Sequence, residues 1–103
     1  MPEQTPLEAR IKRISFDPER NVLVDEKGVE YGGRRFGSTI TVKSTGSWAQ
    51  DTRRQALQKL ETRVKDAGAE AYEICGLETF FIPAAGSHDP YYGYATAILY
   101  KQA

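Results

Sequence analysis

Residues 91–101, YYGYATAILYK, alternate so that a strand there carries Tyr91, Gly93, Ala95, Ala97 and Leu99 on one face. Tyr92, Tyr94, Thr96, Ile98 and Tyr100 share the other face, so the strand has two apolar sides to cover. The segment 69–82 repeats this: Ala71, Cys75, Leu77 and Phe81 alternate with Tyr72, Ile74, Phe80 and Ile82, and Gly76 marks a bulge. Ile40 and Val42 alternate with Thr39, Thr41 and Lys43, a half-buried strand with a polar outer side. Between these lies a different period. Ala49, Ala56, Leu57, Leu60, Val64 and Ala67 recur largely at three- and four-residue steps, predicting an amphipathic helix of about five turns. Ser47 as N-cap with Gln50 three positions on fits a capping box, Asp51 sits near the positive helix end, and Gly68 follows as a C-cap.

The first forty residues carry a weaker pattern. Short strands are predicted at 10–16 around Ile14 and Phe16 and at 21–25 around Val22, Leu23 and Val24, with turns at 17–21 and at Lys27-Gly28 and a resumption over 29–31. The order is therefore β-β-β-α-β-β: an α+β domain of two layers, with a mostly antiparallel sheet and one long helix on one face. Residues 1–8, rich in Pro and Glu, read as a flexible arm, and 9–103 as a single domain.

One helix covers one face. The small side chains of Ala95 and Ala97, with Leu99, suit the side under Leu57, Leu60 and Val64. That leaves Tyr72, Phe80, Tyr92, Tyr94, Ile98 and Tyr100 as the candidate interface, closed either by the N-terminal strands or by a second molecule.

Composition adds exclusions rather than a reaction. Hydrophobic residues at 40% and charged residues at 27% describe an ordinary globular chain, and 14 basic residues balance 14 acidic ones, leaving no global field to draw in nucleic acid or an anionic membrane. No apolar run approaches the ~18 residues of a membrane helix, and no leader pattern opens the chain, so a cytoplasmic protein is expected. Cys75 stands alone, which excludes an intrachain disulfide and predicts a small buried residue beside Ile74. With one His and one Cys, no metal site and no cofactor are expected.

The remaining motifs are weak. The glycines of 32–39 have phosphate-loop spacing but lack the Lys, and a strand follows where that mechanism needs a helix. Arg10, Lys12, Arg13, Arg34 and Arg35, with Tyr31 and Phe36 nearby, form the candidate nucleic-acid or anion contact. Ser87-His88-Asp89-Pro90 reads as turn chemistry rather than a triad, and Cys75 with His88 is a remote thiol–imidazole pair. Glu70, Glu73 and Glu78 are expected to keep an edge strand soluble. No catalytic residue is assigned.

The second half, from the helix through Gly68, Ala69, Glu70 and Ala71 to Gly93, Ala95, Thr96 and Ala97, resembles two small α+β families: the YbjQ family and the YhcN/BhsA/McbA group of enterobacterial stress proteins. The resemblance covers roughly residues 47–101; it implies a helix on a sheet and, for YbjQ, self-association. The expected function is a non-enzymatic binding domain, acting by self-assembly as a homo-oligomer or by docking on a partner protein through the aromatic face. A small host-targeted inhibitor from a phage or mobile element of bacteria has the same profile. The alternatives are a nucleic-acid-binding module using the Arg/Lys patch and a small-molecule-binding domain between the 83–90 loop and the tyrosines.

Overall fold

The computed structural model describes residues 11–83 and 88–102. Six strands, β1 (Lys12–Asp17), β2 (Val22–Val24), β3 (Arg34–Arg35), β4 (Ile40–Gly46), β5 (Ala71–Phe81) and β6 (Tyr91–Lys101), and one helix, α1 (Ala49–Asp66), run in the order β1-β2-β3-β4-α1-β5-β6. The sheet order is β2-β1-β5-β6, and β3 and β4 lie end to end along the other side of β6. The expected α+β two-layer fold is present, with one addition: β1 pairs parallel to β5, so the sheet is mixed. β3 is a short strand that the sequence pattern does not signal.

In β4, Ile40, Val42 and Ser44 are buried while Thr41, Lys43 and Thr45 are exposed, as its alternation requires. The buried residues of α1 are Thr52, Ala56, Leu60 and Val64, one per turn, and Leu57 is only half-buried. Ala56, Leu60 and Val64 pack with Ile40, Val42, Ala69, Tyr72, Ala95, Ala97 and Leu99 into the main core. Small residues on β6 let the helix sit close. A Cβ at Gly93 would lie 3.1 Å from Thr52 Cγ2, and the Ser44 hydroxyl donates to the Thr52 carbonyl at 2.7 Å across that approach.

Both helix ends are instructive. After Ala67, Gly68 takes φ +83°, its N–H donating to the Lys65 carbonyl and that of Ala69 to the Val64 carbonyl, the paired bonds of a Schellman ending. The expected capping box is absent. Trp48 occupies the N-cap with no side-chain cap bond, because the Ser47 hydroxyl turns to the His88 carbonyl at 2.8 Å and Asp89 Oδ1 at 3.2 Å. Ser47 thus ties the chain entering the helix to the chain entering β6.

The expected irregularity at Gly76 is a register shift between Ile74 and Gly76 that leaves Cys75 unpaired against β6. Its side chain is exposed, correcting the expectation of a buried cysteine, and the thiol donates to the Thr96 carbonyl at 3.6 Å. In the β1–β2 hairpin, Asp17 accepts the backbone N–H of Glu19 and of Arg20, and Asn21 takes the left-handed conformation at φ 59°. The Arg20 guanidinium bonded to Asp17 holds that carboxyl below the usual range.

Candidate interaction surface

The far face of the sheet, away from α1, is closed along half its length by this chain itself. Residues 25–33 must link β2 at one edge to β3 on the other side of β6, so they cross that face. The Tyr31 N–H donates to the Leu23 carbonyl, the Phe36 N–H to the Leu99 carbonyl, and the buried Tyr31 ring lies between. It packs with Ile14, Ala71 and Tyr100, with Leu23 and Ile98 alongside, and meets the Tyr100 ring edge-on with centroids 6.2 Å apart. The Tyr100 hydroxyl donates to Glu73 Oε1 at 2.9 Å. Tyr100 and Ile98, expected on an open face, therefore belong to a second internal core.

Tyr31 was missed as a core residue because its signal is not periodic. It is the pair of glycines that follows: a Cβ at Gly33 would overlap the Tyr31 ring, so the ring folds over a position only glycine can fill. Gly33→Ala is expected to cost about 1–3 kcal/mol, the usual range for overpacking. Tyr31→Phe should be neutral or stabilising, because among the described residues nothing bonds the buried Tyr31 hydroxyl. Urea unfolding of both variants checks the pair, and the reverse ranking would remove Tyr31 from the closure.

Beyond the bulge the far face is open. Register places Phe80 opposite Tyr92 and Glu78 opposite Tyr94. Thr45 and Lys43 continue the same face on β4, and the Thr41 and Thr96 hydroxyls bond at 2.9 Å. Phe80 and Tyr94 stack edge-on at 6.0 Å and remain 43% and 37% exposed. On the helix side of the same hairpin end, past the start of α1, Phe81 tilts against Tyr91 at 5.1 Å. Phe81 and Trp48 are exposed there, and Trp48 is close by, because Gly46, two residues before it, pairs with Tyr91; Ile82, next along the chain, is exposed as well. Aromatic groups crowd both faces of one end of the molecule.

Tyr72 does not join them. The bulge switches the phase of β5, so Tyr72 stands opposite Leu99 on the helix side, 2% exposed, with its hydroxyl on Glu61 Oε2 at 3.0 Å. Ile74, opposite Ala97, follows it. Of the six expected interface residues, Phe80, Tyr92 and Tyr94 form the open surface, and Tyr72, Ile98 and Tyr100 lie elsewhere.

Among the described residues the strand edge at this end is also unpaired. β1 pairs with β5 only from Ala71 to Glu73 and then turns to β2. The Ile82 N–H donates to the Pro90 carbonyl, so Ile82, Phe80 and Glu78 aim their backbone groups at β6. Leu77, Thr79 and Phe81 aim theirs outward, where no described strand meets them.

The basic candidates are not brought together. Arg34 and Arg35 pair with Lys101 and Tyr100, whereas Lys12 and Arg13 pair with Ala71 and Tyr72, three strand spacings or roughly 14 Å away. Within each pair the two side chains point to opposite faces. The Lys101 ammonium lies over the Phe36 ring at 5.1 Å, and Arg10 falls outside the described residues.

Other chemistry is equally dispersed. Cys75 lies on the order of 20 Å along β5 from the end that His88 adjoins, so no thiol–imidazole pair forms. Ser87 lies outside the described residues, as does half of the 83–90 loop offered for a small molecule. Glu70 accepts the Gln102 N–H and Glu73 the Tyr100 hydroxyl, so neither forms an acid–base pair with Glu78. Among the described residues no group of His, Cys, Asp and Glu could hold a metal ion, and no helix is long and apolar enough to cross a membrane. No protein-family model, no curated protein and no solved structure matches this chain.

Proposed function

We propose that this domain is a non-enzymatic binding module that self-associates through the outer edge of β5 and the aromatic end around it. The observation that carries the reading is the outward-facing backbone of Leu77, Thr79 and Phe81, flanked by exposed Phe80, Phe81 and Tyr94. Unpaired strand edges bordered by apolar side chains are templates for another strand.

The side chains favour one register. With a two-fold axis at Thr79, the outward residues of two copies meet as hydrogen-bonded pairs, Leu77 opposite the second copy's Phe81 and Thr79 opposite Thr79. Six backbone hydrogen bonds form, on the alternating pattern of an antiparallel ladder. Glu78 then faces the second copy's Phe80, whereas an axis at Glu78 would oppose two carboxylates. Pro83 lacks an N–H and ends the run. A cytoplasmic site suits this reading, because the exposed Cys75 thiol stays reduced there.

Light scattering in reducing buffer tests it, with Thr79→Pro and Tyr94→Glu as variants. Thr79→Pro removes an outward N–H, which an edge position tolerates, so the monomer should remain folded by circular dichroism. The wild type is expected at twice the chain mass and both variants at the chain mass. A monomeric wild type, or a Thr79→Pro protein that still pairs, would overturn the edge-to-edge reading.

A further inference from the structure

The opposite edge of the sheet holds a site of a different kind. Tyr92, Tyr94 and Thr96 direct their backbone toward β5, so Gly93, Ala95 and Ala97 direct theirs toward β4. Ile40, Val42 and Ser44 therefore bond to β6, and Thr41, Lys43 and Thr45 present N–H and C=O groups outward. An independent contact agrees. Lys59 Nζ, on α1, donates to the Lys43 carbonyl at 3.0 Å, occupying one of the acceptors that a neighbouring strand would use.

This edge forms one wall of a cleft of about 710 Å³, with Thr41, Val42 and Lys43 on the strand side. Gln55, Gln58, Lys59, Thr62 and Arg63 form the helix wall, at steps of three, one, three and one, a single stripe of α1 facing the edge. Among the described residues no carboxylate lines the cleft, and Lys59 and Arg63 give its helix wall a positive charge.

We propose that the cleft between β4 and α1 binds an extended acidic peptide, which adds as a strand to β4 and turns alternate carboxylates toward Lys59 and Arg63. A strand edge beside a helix supplies affinity through main-chain bonds and selectivity through alternate side chains. Lys59 acts as a placeholder: the incoming N–H takes over the Lys43 carbonyl, and the freed ammonium pairs with a peptide carboxylate. An oligonucleotide would satisfy the cations but not the outward N–H and C=O groups, so peptide is the better fit. The site does not depend on the β5 edge, because β4 and β5 lie on opposite sides of β6.

The geometry dictates the orientation of the probe. Thr41, Lys43 and Thr45 carry their side chains on the far face, so peptide residues bonded directly opposite them also point there, and the intervening residues face the helix. In fluorescein-labelled Glu-Val-Glu-Val-Glu-Val with glutamates toward α1, the valine amides face β4 and the glutamate amides face solvent. Anisotropy titration of the full chain is expected to show binding that weakens as salt rises. N-methylation of the valine amides, or Lys59→Glu with Arg63→Glu, should weaken it by at least about tenfold. N-methylation of the glutamate amides should leave it unchanged. Both substituted residues are exposed, and circular dichroism of the variant confirms the fold. The proposal fails if the unmodified peptide does not bind, if methylation at the two sets of amides has equal effect, or if oligo-dT binds more tightly at the same salt.

Discussion

Leu60→Ala is expected to remove about 3–5 kcal/mol of folding free energy, the upper part of the range for truncating a buried leucine. Leu60 is wholly buried in α1 and points at β6, whose facing residues Ala95 and Ala97 are also wholly buried. The cost of such a cavity depends on whether neighbours can collapse into it. Alanines on a strand paired along both edges have no side chain to extend and little backbone freedom, so the hole persists. A domain of this size has about 5–15 kcal/mol in total, and the variant should lose a large share of it. Leu57, one position off the buried stripe, is only half-buried and should cost clearly less when cut to Ala. Urea midpoints for both variants decide the matter: equal losses would mean that α1 does not present the Thr52, Ala56, Leu60, Val64 stripe to the sheet.

The contrast between Leu57 and Leu60 also shows how far a sequence pattern reaches. Strict periods were readable: α1, the alternation of β4, and the faces of β6 all follow from positions that repeat without interruption. Tyr72 was misassigned because period two holds only in an unbroken ladder, and the unpaired Cys75 reverses the phase of everything before it relative to Phe80. The glycine at 76 signalled that a bulge existed, yet not which residue it would expel. The capping box failed for a related reason. Ser47 has partners from the segment that enters β6, and a distant bond to His88 outcompeted a local one.

The second sheet face shows the limit most clearly. Sequence posed the right question, since six large residues lacked a cover, and the chain's own crossing segment answers it for only part of the surface. Tyr31 closes the end near Tyr100, reaching it only because β2 and β3 lie on opposite sides of β5 and β6. A crossing of this kind is a matter of topology and leaves no period in the chain. What remains open, Phe80, Tyr92 and Tyr94 beside the outward edge of β5, is narrower than the whole face and includes backbone groups that no side-chain pattern could mark.

Raising the pH from 10 to 12 should destabilise the domain through two tyrosines that the helix face and the far face bury separately. Burial, and then the charge of Glu61, pushes the Tyr72 hydroxyl up to about 12; burial, and then its bond to Glu73, pushes the Tyr100 hydroxyl up to about 12. The folded state therefore holds both protons more tightly than the unfolded chain, whose tyrosines ionise near 10. Below pH 10 both states are protonated and the contribution is fully present. Between 10 and 12 the unfolded chain releases its protons first, so stability falls with rising pH, and above 12 the loss is complete. Each tyrosine contributes on the order of 1–3 kcal/mol over this window. Tyr72→Phe/Tyr100→Phe should flatten the slope, since it removes both titrations while Glu61 stays exposed and Glu73 half-exposed to water. Urea unfolding at several pH values supplies the slope, and the near-ultraviolet absorbance of tyrosinate reports ionisation in the folded protein. A double variant that loses stability with pH as steeply as the wild type would place the effect in the lysines, and Tyr72 and Tyr100 would then no longer account for the alkaline limit of the fold.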